Sequence, residues 1–440
     1  MQLLRAPIHW FAAAYVLIAL AVIQHHGTYT PFALFCMLAA FAIACVGVSI
    51  AVRQHHETDA SPTFLAGCIV LLLLMGLSFS PLLHDKSASV DRAVHGLQWA
   101  ILVGVLLLHM LPRPQWLPSW VVWMFDVAFI AAGIALRFLV PTFTPVAMID
   151  VYVTSQESAQ HFLAGLNPYT TAVTDIYGGK MDFGYDILGY MYLPATLYLQ
   201  TIGYLFGDVR YMSAFADAVI ALSLWRLTKE VSRNMRCLLI LLFLWHPKGF
   251  FVVEQSWTEP LIAMFLGIFL MLRSSGFSLA AAGIYGYMLS IKQSLAFFAL
   301  QLLRLERRPS RLLIVALVGI LTIIPFAIWD MESLWKYGVL FQLQTGFRAD
   351  GLTIFAPLSK LGLEPGKSWS LIVGFVATIG AMWFVRKLPQ MRGYLLATCI
   401  STFAMFLFGS QAFCNYYYLV WVLLLFVMAE AIAPVQHDDR

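Results

Sequence analysis

Charged residues are scarce in this 440-residue chain, where Asp, Glu, Lys and Arg make up 11% of the total. About a quarter of an ordinary soluble domain is charged. The hydrophobic fraction is 61% and the mean hydropathy is +0.80, so most of the surface must face lipid rather than water. The net charge of +4 comes from basic residues in short connections. Because the sequence has no basic face for DNA or RNA, a nucleic-acid partner is excluded.

The first apolar run, 8–24, follows a single Arg5 and lacks a small-residue cleavage site, which indicates a retained first span rather than a signal peptide.

Clustered cysteines are also missing. We interpret the cysteines as small buried hydrophobic residues, since they are scattered without a CxxC pair or a metal-ligand spacing. They are Cys36, Cys45, Cys68, Cys237, Cys399 and Cys414.

Long apolar runs are what the sequence has in quantity. A membrane-spanning helix needs about 20 mostly apolar residues, and this length predicts an all-α, polytopic transmembrane helix bundle of about 12–14 spans. No soluble domain interrupts the series. The predicted spans are 8–24, 32–52, 63–83, 97–111, 119–140, 191–206, 210–227, 237–252, 258–273, 279–303, 312–329, 369–386, 393–410 and 416–434.

Basic residues in the connections orient these spans, because Lys and Arg are retained on the cytoplasmic side. The N-terminus is therefore predicted to be cytoplasmic, and the long polar segments 141–190 and 330–368 to be extracytoplasmic. Two spans between 191 and 227 would place the group that begins at Arg226 outside, so one of them is predicted to be re-entrant or miscounted. The basic positions are Arg5, Arg53, Arg113, Arg226, Lys229, Arg233, Arg236, Arg304, Arg307, Arg308, Arg311, Arg386, Lys387 and Arg392.

A lysine interrupts the longest apolar block, 279–303, in the sequence Ile291-Lys292-Gln293-Ser294. An ammonium group inside a bilayer is costly unless it has a partner or lines a wet cavity. The block is therefore predicted to be two half-helices that meet at Lys292.

Asp150 stands where the fifth apolar run gives way to the first long polar segment. A carboxylate there lies at the membrane surface, within reach of a lipid head group and of a water-borne one. The alternative is that Asp150 caps the amphipathic surface helix predicted to follow it. The segment is too long and too aromatic to be a simple connector.

A series of short motifs begins at Asp150. In chain order they are Asp150-Val-Tyr152, Leu163-Ala-Gly165-Leu-Asn167-Pro168-Tyr169, Tyr190-Met-Tyr192-Leu-Pro194, Tyr204-Leu-Phe-Gly207-Asp208-Val-Arg210-Tyr211, His246-Pro247, Glu254-Gln255-Ser-Trp257-Thr-Glu259-Pro260, Lys292-Gln293 and Asn415-Tyr416-Tyr417-Tyr418. This order resembles the GT-C superfamily of integral membrane glycosyltransferases, in particular its polytopic mannosyltransferase-like branch. The resemblance runs from about Ile149 to Leu425 and leaves the first four spans outside it.

The resemblance implies that a mannose-like hexose is transferred on the extracytoplasmic face, commonly with inversion at the anomeric carbon. The donor would be a polyprenyl-phosphate-linked sugar, and the acceptor a glycolipid, another glycan or a protein. Asp150 would be the general base for the acceptor hydroxyl, and Lys292 and Arg348 would bind the donor phosphate. The substrate-binding residues would be Tyr152, Asn167, Tyr169, Glu254, Gln255, Trp257, Glu259, Gln293, Asn415 and Tyr417.

The resemblance also divides the chain. Residues 1–118 would be accessory transmembrane helices, and residues 119–440 the catalytic module, placed in a bacterial inner membrane. The minimal mechanism needs no cofactor or metal. The acids Asp175, Asp182 and Asp186 offer oxygen ligands for a divalent cation, but Asp and Gly are also ordinary turn residues.

Other polar residues have structural alternatives. Arg348 can pair locally with Asp350, and the Glu259 carboxylate can stabilise the N-terminus of a helix. Asp126 and Arg137 in the fifth span are interpreted as members of structural pairs, and His161 as a packed or interfacial residue. Tyr416, Tyr417 and Tyr418 fit either an acceptor site or a girdle of aromatic side chains at the level of the head groups.

Two other classes of protein share this composition. A transporter or lipid flippase is also a bundle with rare intramembrane charges, but carriers usually show repeated halves and matching broken helices, and no such repeat is found here. A structural subunit without chemistry would leave Asp150 and Lys292 unexplained.

Overall fold

The computed structural model describes residues 6–53, 61–79, 88–112, 116–147, 149–176 and 189–432. Within these ranges every regular element is helical, which confirms the all-helical fold class. Arg5, Arg113, Asp182 and Asp186, together with the end of the predicted span 63–83, lie outside the described residues.

Most helices lie close to the predicted apolar runs, but the predicted span 237–252 is divided between two helices, Arg233–Leu244 and Gly249–Glu254. They are α1 (Pro7–Ile23), α2 (Pro31–Arg53), α3 (Pro62–Phe79), α4 (Ala88–Val105), α5 (Ser119–Phe143), α6 (Asp150–Leu163), α7 (Pro194–Tyr204), α8 (Arg210–Leu227), α9 (Arg233–Leu244), α10 (Gly249–Glu254), α11 (Glu259–Ser274), α12 (Ser278–Leu289), α13 (Ala296–Leu305), α14 (Pro309–Trp335), α15 (Phe341–Gln344), α16 (Phe355–Leu358), α17 (Lys367–Phe384), α18 (Gln390–Leu407) and α19 (Cys414–Ile432). A π-helical turn, Leu106–Met110, extends α4, and a 3₁₀ turn, Gln293–Leu295, precedes α13.

Among the described residues, five helical stretches are long and apolar enough to cross a membrane by length and composition. Shorter apolar helices accompany them, including α1, α12 and α17. The five stretches are Pro31–Arg53, Arg92–Met110, Ser119–Phe143, Pro309–Gln344 and Cys414–Ile432.

The predicted span 191–206 is corrected to a much shorter helix. Helix α7 has 11 residues, or about 16 Å at 1.5 Å per residue, whereas a bilayer core is about 30 Å thick. It packs against α6 and α8. Of the two helices between 191 and 227, only α8, with 18 residues, approaches the length of a span, which favours the predicted alternative in which the first of them does not cross.

The block 279–303 is broken at Lys292 as predicted, but its two halves form an antiparallel hairpin instead of one crossing. At the base of the hairpin, Arg273 donates to the Ser278 hydroxyl at the start of α12 (3.0 Å) and to the Leu305 carbonyl at the end of α13 (3.0 Å). At its apex, Lys292 pairs with Glu259 at the start of α11. Helix α11 therefore runs alongside the hairpin from apex to base.

Basic connections gather at one end of the bundle, which we call the basic end. Arg304 donates to the Leu388 carbonyl in the α17–α18 connection (2.7 Å), and Arg311 pairs with Glu306 (2.8 Å). Helix α11 is 16 residues long, or about 24 Å, and its other end lies at the opposite side of the bundle. That end carries the hairpin apex and the polar pocket described below, and we call it the pocket end.

One hydrophobic core runs through the bundle and includes the N-terminal helices. Phe11 and Tyr15 of α1 belong to the same buried cluster as Trp421 of α19, and α1 packs directly against α19. The boundary predicted at residue 118 does not coincide with a break in this core. The accessory role of residues 1–118 stays a prediction.

Candidate active site

A pocket of about 300 Å³ opens at the pocket end and is lined mainly by connections between helices. We call it the polar pocket. It receives residues from the α1–α2 connection, the start of α6, the segment before α7, the α10–α11 turn, the α12–α13 break, and segments 341–350 and 411–416. Asp150, Lys292 and Arg348 all line it. The structure thus brings together the acid and the two cations that were predicted separately from the sequence.

Backbone contacts hold the segment around Arg348 in place. An isolated antiparallel bridge joins Thr28 to Gly351, and the Leu352 amide donates to the Ala412 carbonyl (2.7 Å). The Tyr417 hydroxyl donates to the Leu352 carbonyl (2.5 Å). Three connections that are distant in sequence therefore form one rim of the pocket.

Asp150 is the first residue of α6, and Ile149 occupies the N-cap position. The Asp150 carboxylate accepts from the adjacent Val151 amide (2.9 Å), so it interacts with the helix start without being its cap residue. Burial raises the pKa of the Asp150 carboxyl, and the Val151 hydrogen bond and the charge of Arg348 only partly oppose this effect. The carboxyl therefore binds a proton more readily than an exposed aspartate does.

Arg348 forms the predicted local pair with Asp350, and the pair itself lines the pocket. Its Nε and Nη2 donate to the two Asp350 oxygens at 2.8 and 2.7 Å. The guanidinium also lies over the Phe413 ring, 5.1 Å from its centre. A guanidinium has five N–H donors, and this fork uses two of them.

Lys292 lines the pocket from the hairpin apex. Its Nζ is 2.6 Å from Glu259 Oε1 and 4.9 Å from the centre of the Tyr416 ring. Glu259 is the first residue of α11 and is buried, and its second oxygen, Oε2, has no hydrogen-bond partner among the described residues. Glu259 thus combines the helix-start role with an ion pair that compensates the buried ammonium.

Gln255, Trp257 and Asn415 were predicted to bind substrate, and all three line the pocket. Glu254 is buried at the end of α10 and does not line it. Trp257 stands edge-on to Phe251, with ring centres 5.3 Å apart. The pocket therefore has an aromatic wall beside its amide groups.

Other predicted substrate-binding side chains are bonded within the protein and do not line the pocket. Their polar atoms stabilise the connections around it, which is the structural alternative for such residues. The bonds are Tyr152 Oη to Asp208 Oδ2 (3.2 Å), Tyr169 N to Asn167 Oδ1 (3.0 Å), Tyr169 Oη to Tyr192 O (2.7 Å), Gln293 Nε2 to Gly338 O, and Tyr417 Oη to Leu352 O (2.5 Å).

A buried ion pair fixes the helix that carries Asp150. Arg210 pairs with Asp208 (2.6 Å) and donates to the Thr144 carbonyl (2.7 Å). Its guanidinium lies 4.5 Å from the centre of the Tyr152 ring on α6. Burial raises the pKa of Tyr152 to about 12, so this hydroxyl stays protonated and donates to Asp208. The Asp208–Arg210 motif therefore positions α6 and does not contact the pocket.

The remaining polar candidates lie apart from the pocket. Asp175 is exposed, and His161 lies in the last turn of α6. Within the described parts of the chain, no group of three His, Cys, Asp or Glu side chains is placed to hold a metal ion. The structural interpretation of Asp126 is confirmed by its buried pairing with His109 (2.9 Å).

Sequence reasoning missed the contribution of the first helices to the pocket. His26 and Thr28, from the connection between α1 and α2, both line it. The available signal was the polar stretch Gln24-His25-His26-Gly27-Thr28 between two apolar runs.

Comparisons with protein families, curated proteins and solved structures give no match for this chain.

Proposed function

We propose that the chain is a polytopic membrane glycosyltransferase that moves a mannose-like hexose from a polyprenyl-phosphate donor to a lipid-linked or polysaccharide acceptor. The observation that carries the proposal is the single pocket that contains the Asp150 carboxylate, the Arg348 guanidinium and the Lys292 ammonium. Sugar transfer from a lipid phosphate needs a proton acceptor for the attacking hydroxyl and cations for the leaving phosphate. The GT-C resemblance of the motifs supports the same chemistry.

In the proposed membrane arrangement, the basic end is cytoplasmic and the pocket end is extracytoplasmic. Arg273, Arg304 and Arg311 meet at the basic end, and basic residues in short connections are retained on the cytoplasmic side. The proposal gives the chain about 12–14 crossings, several of them short, in a bacterial inner membrane with the N-terminus in the cytoplasm.

In the proposed reaction, the oxygen of the acceptor hydroxyl forms a bond to the anomeric carbon, and Asp150 takes the proton of that hydroxyl. The bond between that carbon and the phosphate oxygen breaks, and its electron pair leaves with the polyprenyl phosphate. Arg348 and Lys292, which pair with Asp350 and Glu259, bring positive charge to the leaving phosphate. These steps need no metal ion.

The sugar would lie between Asp150 and the aromatic wall. Trp257 presents an aromatic face of the kind on which the C–H face of a sugar packs, and Gln255 and Asn415 supply amide donors and acceptors. An apolar wall with a few polar groups is the usual composition of a small-molecule site.

The proposed function is tested with the purified full chain in liposomes and radiolabelled polyprenyl-phosphate mannose or glucose, with glycolipid and oligosaccharide acceptors. We expect label to appear in the acceptor fraction. Movement of the labelled lipid between leaflets without labelled acceptor would instead identify a carrier or flippase. The absence of both transfer and movement would overturn the enzymatic proposal in favour of a structural subunit.

The rate of transfer should depend on the ionisation of Asp150. Because burial raises the pKa of this carboxyl, and because a general base must be ionised, the acid limb of the pH profile should lie above the pKa of an ordinary aspartate. As pH rises through the pKa of Asp150 in the folded state, the free energy of unfolding should fall slightly. The reason is that the folded state binds the proton more tightly than the unfolded state. The measurement is kcat/KM against pH. An acid limb that persists in the residual activity of Asp150→Asn would assign it to another group.

A further inference from the structure

The connection between α1 and α2 places a histidine at the polar pocket in an uncommon backbone conformation. His26 lines the pocket and has a φ of 54°, a region that non-glycine residues rarely occupy. Gly27 follows with a φ of 81°, and a Cβ there would lie 2.3 Å from the Cys414 amide nitrogen. The connection therefore packs closely against the start of α19, and this packing holds the His26 backbone in its position. Backbone strain of this kind is concentrated at functional sites.

A buried lysine defines which ring nitrogen of His26 carries the proton. Lys248 is fully buried, and its Nζ is 3.1 Å from His26 Nδ1. An ammonium group has N–H donors and no acceptor, so Nδ1 must accept this hydrogen bond. In a neutral imidazole the other nitrogen then carries the hydrogen. A charged Lys248 therefore favours the tautomer of His26 that has its N–H at Nε2.

The same histidine is part of the aromatic wall. Its ring centre lies 4.5 Å from that of Phe251, which in turn contacts Trp257 at 5.3 Å. Lys248 also lies over Phe251, 5.1 Å from the ring centre. His26 thus stands beside two aromatic side chains that also line the pocket.

We propose that His26 is a substrate-binding residue that donates from Nε2 to an oxygen of the bound sugar, and that Lys248 is the positioning residue that fixes its tautomer. This inference rests on the proposed function. It gives the first two helices a part in the site, because their connection supplies a donor next to the aromatic wall. The oxygen that accepts is a sugar hydroxyl, since the phosphate of the donor faces Arg348 and Lys292.

The first test compares His26→Ala, His26→Gln and His25→Ala in the liposome transfer assay. His26→Ala should lower kcat/KM by about 10- to 100-fold, the usual effect of removing one well-placed hydrogen bond to a substrate. His26→Gln should recover most of this loss, because its amide can accept from Lys248 and donate to the sugar. The exposed neighbour His25 is the matched control, and His25→Ala should have native activity.

The second test is a double-mutant cycle with Lys248→Met. If Lys248 acts through His26, the variant should lower kcat/KM in the native chain and change it by less than about twofold in the His26→Ala background. Additive losses would overturn the role of Lys248. Native activity in His26→Ala would overturn the role of His26 while leaving glycosyl transfer established. No transfer by the native chain would overturn the proposed function and this inference with it, and thermal unfolding of each variant separates loss of activity from loss of fold.

Discussion

Replacing Asp150 by asparagine is expected to lower sugar transfer by about 10²- to 10⁴-fold, the usual effect of losing a positioned general base. The amide has the size of the carboxyl and can still accept from the Val151 amide, which now donates to Asp150 at 2.9 Å. It cannot take the proton of the attacking hydroxyl. The measurement is kcat/KM in liposomes, with the donor and the acceptor varied separately.

The control for this variant is Glu364→Gln, which removes a carboxylate from an exposed position in the second long polar segment. It should leave transfer unchanged. Asp150→Asn should unfold at or slightly above the native temperature, because burial penalises the ionised carboxyl and the amide removes that penalty. A rate for Asp150→Asn within about threefold of the native rate would exclude Asp150 as the base.

The convergence of Asp150, Lys292 and Arg348 was accessible from the sequence because helices that alternate in direction bring every second connection to the same end of a bundle. Asp150 and Arg348 lie in long polar segments that the basic residues assign to one side. Lys292 is costly in an apolar block, which predicts a break and a wet cavity there. The structure places all three at one pocket.

The hairpin of α12 and α13 was not accessible in the same way. Twenty or more apolar residues with one lysine in the middle fit a single crossing as well as two short helices. The choice depends on Arg273, whose hydrogen bonds to Ser278 and Leu305 bring both ends of the block together. Hydrogen bonds from one side chain to both ends of a block leave no periodic pattern in a sequence.

Substrate-binding and structural roles were equally hard to separate for polar residues near the pocket. Asn167 and Tyr169 belong to a motif that follows Asp150, yet Asn167 accepts from the Tyr169 amide and Tyr169 donates to the Tyr192 carbonyl before α7. His26 shows the opposite case, since the role inferred for it depends on its contact with Lys248 from a distant part of the chain. Proximity to a motif was therefore a weaker guide than the three-dimensional partner of each side chain.

Removing one partner of the buried Arg137–Asp217 ion pair is expected to destabilise the protein by about 3–5 kcal/mol. Arg137 Nε lies 2.5 Å from Asp217 Oδ2, and both side chains have 0% exposure. Tyr418 donates to the other Asp217 oxygen, and the Arg137 guanidinium lies 4.4 Å from the centre of the Phe250 ring. The pair thus links α5, α8, α10 and α19, and a single substitution leaves a buried charge without its counterion.

The measurement is thermal unfolding of Arg137→Met, Asp217→Leu and the double variant in one detergent. The double variant should recover most of the lost stability, because two apolar side chains of similar volume carry no charge to desolvate. Glu230→Gln is the matched control, since Glu230 forms an exposed pair with Lys229 at 3.6 Å and such pairs contribute about 0–1 kcal/mol. Losses that simply add in the double variant would contradict a charge-pair origin, because independent packing defects are additive whereas the partners of an ion pair are not.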